Sequence, residues 1–142
     1  MAIFLIGIIV LGAVMFALIS GVGQPKRSKF RTNQIDRELV LRRWGEIQVK
    51  LHKGGDSALS SAVTDADKLL DYALRQSGYY GNTFAERLKQ ADYRLTDKEA
   101  VWRAHKLRNA IAHEVGHDIR HNQVQTALSA YEHALKDLGA MS

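Results

Sequence analysis

The chain has 142 residues, no cysteine and a single proline, Pro25. Without cysteine there is no disulfide framework, no thiolate nucleophile and no thiolate-based zinc site. With its one proline near the start, nothing downstream carries the strongest breaker of helices. Negative charge is also missing early on: no Asp or Glu precedes Asp36, whereas Lys26, Arg27, Lys29 and Arg31 are all basic. The whole chain counts 20 Lys and Arg against 15 Asp and Glu, so residues 32–142 keep 16 basic and 15 acidic side chains. The formal charge of +5 is therefore concentrated in one short cluster. That near-balance excludes a nucleic-acid-binding face spread over residues 32–142.

What is present begins with an apolar run. Residues 2–23 contain no charged side chain, and about 22 residues at ~1.5 Å each reach ~33 Å, enough to cross a ~30 Å hydrocarbon core. No basic residue precedes the run, as a cleavable signal peptide would require, so the segment is expected to be an uncleaved anchor. The basic cluster behind it predicts, by the positive-inside rule, a cytoplasmic domain on a single-pass protein of the inner (plasma) membrane. It can also lie against anionic head groups. Ala13, Ala17 and Gly21 recur every four residues within the run, a small-residue stripe that suggests a homodimer through the anchor. The expected organisation is an anchor over 1–24, a basic linker over 25–31 and a helical domain over 32–142.

Within that domain the apolar period is helical. Ile35, Leu39 and Ile47 mark a first helix from about Thr32 to Lys53, ended by Gly54 and Gly55. Asp56 or Ser57 is expected to cap a second, whose stripe runs Leu59, Ala62, Val63, Ala66, Leu69, Leu70, Ala73, Leu74 opposite Asp67, Lys68, Asp71 and Arg75. Thr83 with Glu86, and Thr96 with Glu99, have capping-box spacing and predict two more helix starts. The latter helix would bury Val101, Ala104, Leu107, Ile111 and Val115 as far as Gly116. A last helix from about Asn122 would bury Val124, Ala127, Leu128, Tyr131, Leu135 and Leu138, with Gly139 as its stop. No period-two stretch or hairpin signal occurs. The fold class is all-α: four or five helices in an antiparallel bundle behind one transmembrane helix.

One stripe is polar. His105, Asn109 and His113 are four apart and share a face of the fourth helix, with Arg108 on its flank. An imidazole can exchange protons near neutral pH, and a guanidinium can hold a phosphate through two bonds. Base plus cation is a minimal kit for RNA transesterification: the one deprotonates a ribose 2′-hydroxyl, the other stabilises charge building at phosphorus. A solvated polar helix face offers the same residues without any chemistry.

Arg108-Asn109-Ala110-Ile111-Ala112-His113 resembles the signature of the HEPN (higher eukaryote and prokaryote nucleotide-binding) superfamily: an Arg, a polar residue, three variable positions and a His. The longer run from Trp102 to Glu114, the segment Ala66 to Asp71 and the tail Ala134 to Gly139 also resemble small membrane-anchored HEPN-like proteins of uncultivated bacteria, the likeness covering about residues 55–140. The resemblance implies an all-α bundle, often a homodimer, with Arg and His of both protomers meeting in a cleft. It further implies a metal-independent endoribonuclease without cofactor, in which Arg108 grips phosphate, His113 is the acid/base and Asn109 orients them. Many members of the superfamily are instead inactive modules that bind RNA, a nucleotide or a protein partner.

A second motif overlaps the first. His113-Glu114-Val115-Gly116-His117 reads H-E-x-x-H, which on a helix sets two His at i, i+4 for zinc with Glu as general base; His121 is a possible third ligand. Gly116 and the missing substrate-aligning strand weaken this metallopeptidase alternative. Trp44 and Trp102 are expected as core and Tyr79-Tyr80 as a packed turn.

Overall fold

The computed structural model describes residues 34–114, 116 and 118–142. The expected anchor, its small-residue stripe and the basic linker lie outside the described residues. Among the described residues no helix is long and apolar enough to cross a membrane, and all regular structure is helical, within one compact unit, Thr32–Ser142. The order is α1 Arg37–Lys53, α2 Asp56–Gln76, α3 Phe84–Ala91, a 3-10 turn Asp92–Arg94, α4 Lys98–His113 and α5 His121–Asp137.

Helix α1 starts later than its periodicity predicts because the Asp36 carboxylate accepts from the Leu39 amide at 3.0 Å and fixes the cap there. That places Ile35 before the cap, at staple spacing from the buried Val40. The buried row is Val40, Trp44, Ile47 and Leu51, not Leu39. Gly54 and Gly55, at φ 67° and 81°, turn the chain so that α2 returns along α1. Lys50 reaches back to Ser61 at 2.8 Å and also bonds Asp65. Gly55 is the residue before α2 and no side chain caps it; Asp56 lies inside the first turn, where its charge suits the helix dipole.

The central helix is α2, which touches α1, α3, α4 and α5. Every apolar residue expected on its stripe is buried. Asp67 and Asp71, expected on the solvent side, are buried as well. On a wheel of about 100° per residue they border the stripe beside Val63 and Leu74, and partners from other helices make burial tolerable.

Thr83 caps α3 through its hydroxyl, 3.2 Å from the Glu86 amide, while Glu86 returns a bond to the Asn82 amide at 2.6 Å. The start of α4 is displaced by one residue: Asp97 accepts from the Ala100 amide at 2.9 Å. Thr96 is engaged elsewhere, its amide and hydroxyl both bonded to the Asp137 carboxylate at 2.8 and 2.9 Å. Helix α4 also ends earlier than expected. Glu114 takes an extended conformation (φ −96°, ψ 116°) and Gly116 has φ 76°, so the helix stops at His113; Val115 is outside the described residues. In α5, Val124, Ala127, Leu128, Tyr131 and Leu135 are buried as expected.

Candidate functional site

Where α2, α4 and α5 meet, five polar side chains form one hydrogen-bonded chain. It starts at Asp67, only 5% exposed. Its Oδ1 accepts from the Tyr131 hydroxyl at 2.8 Å and from His105 Nδ1 at 2.7 Å. His105 Nε2 faces Asn109 Nδ2 at 3.2 Å, and Asn109 Oδ1 accepts from Arg108 Nη1 at 3.0 Å. The direction is fixed at both ends. A guanidinium offers only N–H donors, so the Asn109 oxygen must face Arg108 and its amide nitrogen must donate to His105. Nε2 of His105 is therefore an acceptor, and Nδ1 carries the proton given to Asp67.

The sequence explains the assembly locally. His105 and Asn109 are one helical turn apart on α4, and Arg108 is the chain neighbour of Asn109. Asp67 comes from the edge of the α2 stripe, and Tyr131 from the fully buried row of α5. The His105 ring packs against Phe84, with centroids 4.5 Å apart, and against Trp102, edge-on at 6.2 Å. Trp102 thus packs on the site and is only half-buried, unlike the core residue expected; Trp44 is in the core. Burial, with the Asp67 charge beside it, pushes the Tyr131 hydroxyl far above the ordinary tyrosine range, so it stays protonated and donates.

Arg108 is the part of the chain that reaches outward. Its Nε is buried without a hydrogen-bond partner, 3.7 Å from Asp67 Oδ2. An attraction at that distance without a hydrogen bond holds the charge but leaves donor capacity unused.

Of the residues singled out in the sequence, the structure joins Arg108 and Asn109 and leaves His113 apart. His113 is the exposed last residue of α4. Five residues separate it from Arg108, about 7.5 Å along the axis and about 140° around it. The H-E-x-x-H motif loses the helical register it needs, because Glu114 is extended and Gly116 is left-handed. His117 lies outside the described residues, and His121 opens α5. Among the described residues no three His, Asp or Glu side chains converge as metal ligands.

Sequence reasoning missed Asp67, Tyr131 and Phe84. Two signals were present: a carboxylate bordering an apolar stripe, and a tyrosine in a buried row, whose hydroxyl needs a partner. No family model, curated protein or solved structure matches this chain.

Proposed function

We propose that the chain is a membrane-anchored HEPN-like module that cleaves RNA without metal, with Arg108 as the phosphate-binding cation and His113 as an acid/base. The observation that carries this reading is the guanidinium at the open side of the cluster: Arg108 Nη1 bonds the Asn109 oxygen at 3.0 Å and its Nε faces Asp67, while the side chain as a whole is 28% exposed. An anion arriving at the exposed part of that guanidinium finds a preorganised charge, the arrangement that best stabilises a phosphorane-like transition state. Because Arg108 and His113 face different sides of α4, the reading takes a homodimer in which the His113 of one copy meets the Arg108 of the other. The uncharged run and the basic cluster behind it support an inner-membrane anchor with the domain in the cytoplasm.

Single-stranded RNA should be cleaved in EDTA, and Arg108→Ala or His113→Ala should each lower the rate by ~10²-fold. An equimolar mixture of the two variants should regain about a quarter of the wild-type rate, since one mixed dimer in two forms and carries one intact site of two. No recovery would place both residues of a site in one chain. A second reading, a non-catalytic module that binds RNA, a nucleotide or a protein, is favoured by one observation: the Asn109 amide is occupied at both ends within the chain. Intact RNA with retained binding would select it.

A further inference from the structure

The Asn109 amide has the hydrogen-bonding pattern of a substrate. Its oxygen accepts from a guanidinium, as a phosphate oxygen would, and its N–H donates to an imidazole nitrogen, as a ribose 2′-hydroxyl would. The imidazole it meets is oriented for proton transfer: Nδ1 is bonded to a buried carboxylate and the ring packs against Phe84 and Trp102. A third group that fixes the tautomer is the usual support of a catalytic base. His113 shows no such support, with no hydrogen bond to a described residue.

We infer that His105, outside the Arg-x4-His motif, is the general base for attack by a ribose 2′-hydroxyl, and that the Asn109 amide occupies the substrate's place until RNA displaces it. This rests on the ribonuclease reading and divides its acid/base work between two histidines. Nε2 of His105 takes the 2′-hydroxyl proton as O2′ bonds to phosphorus. The P–O5′ bond breaks, and the leaving oxygen takes a proton from His113 of the partner subunit. The products are a 2′,3′-cyclic phosphate and a 5′-hydroxyl end, with no net proton gained or lost. Two histidines eight residues apart are about 12 Å apart along one helix, too far for one phosphate, so the acid comes from the second copy. Asp67 is a positioning residue in this scheme, because it acts through His105.

The test uses the full chain and a short single-stranded RNA in EDTA. His105→Asn retains an N–H for Asp67 but no base, so it should fold while kcat falls ~10²-fold or more. His105→Ala should be inactive and partly restored by added imidazole, which fits the space beside Phe84 and Trp102. Asn109→Ala should lower KM several-fold, because the competing amide is gone. If His105→Asn cleaves within about twofold of wild type while Arg108→Ala and His113→Ala are inactive, the inference fails and the ribonuclease reading stands. Loss in His105→Asn without imidazole rescue of His105→Ala would assign His105 a structural role and overturn the inference, and a higher KM in Asn109→Ala would overturn the displacement. Wild-type protein that leaves RNA intact would overturn both.

Discussion

Helix α2 carries two buried carboxylates one turn apart, and they are satisfied in different ways. Asp71 is closed by cations: Arg87 Nε bonds its Oδ1 at 2.7 Å, Arg75 bonds Oδ2, and Arg87 is itself buried with a further bond to the Gly81 carbonyl. Asp67 instead receives donors from a tyrosine and an imidazole, while its nearest cation, Arg108, stands at 3.7 Å with an unused Nε. Full ionic closure makes Asp71 a fastener between α2 and the start of α3. Partial closure at Asp67 leaves the Arg108 Nε beside it without a hydrogen bond. Neighbouring residues on one helix thus differ in how completely their charge is matched, according to what faces them.

The largest effect expected from this contrast is at Asp71. Asp71→Asn leaves the Arg87 charge buried without an anion, and breaking a buried pair in this way costs about 3–5 kcal/mol. The unit Thr32–Ser142 holds the whole described core, so urea unfolding of residues 32–142 measures it directly. A loss below ~1 kcal/mol would show that Arg87 finds water, and the contrast would vanish.

The sequence makes the apolar half of this picture legible and hides the polar half. The α2 and α5 stripes follow from local spacing alone, since each residue on them is buried by the period of its own helix. The Thr83 cap is legible for the same reason. The α4 start is not, because the competition between Thr96 and Asp97 is settled by Asp137, some 40 residues away. The same holds at the site: Arg108 and Asn109 stand out as a motif, but Asp67 pairs with Tyr131 across 64 positions and with His105 across 38. No periodicity announces a pairing that only tertiary packing creates.

A middle-sized effect is expected at Tyr131. Its hydroxyl gives Asp67 one of two bonds at Oδ1, and a hydrogen bond to a charged acceptor contributes about 1.5–3 kcal/mol. Tyr131→Phe should lose an amount in that range near neutral pH. The folded state holds this proton more tightly than the unfolded chain, whose tyrosine titrates near the ordinary value of 10.0. Below that pH the contribution is complete; above it the unfolded chain releases the proton and wild-type stability falls. The gap between wild type and Tyr131→Phe should therefore narrow by about 1.4 kcal/mol per pH unit above ~10. A gap independent of pH up to 11 would mean that the hydroxyl is not held by Asp67.

The smallest effect, and the sharpest use of the contrast, is Asp67→Asn. The substitution removes the same charge as Asp71→Asn from the same helix, one turn away, in a site equally buried. Yet the two bonds at Oδ1 need only an acceptor oxygen, which an amide supplies to both Tyr131 and His105. The amide nitrogen then lies near Arg108 Nε, a donor beside a donor, but Arg108 is 28% exposed and can turn its charge to water. No fully buried cation is abandoned, and the desolvation cost relieved with the buried carboxylate offsets the weakening of its two bonds, so the expected loss is about 1 kcal/mol or less, a fraction of that at Asp71. Urea midpoints of the two variants under one buffer give the ratio directly. Equal losses would show that the Asp67 charge itself, rather than its oxygen, holds α4 and α5 in place. In that case Arg108 would be a structural cation like Arg87, and its availability to a phosphate would lose its support.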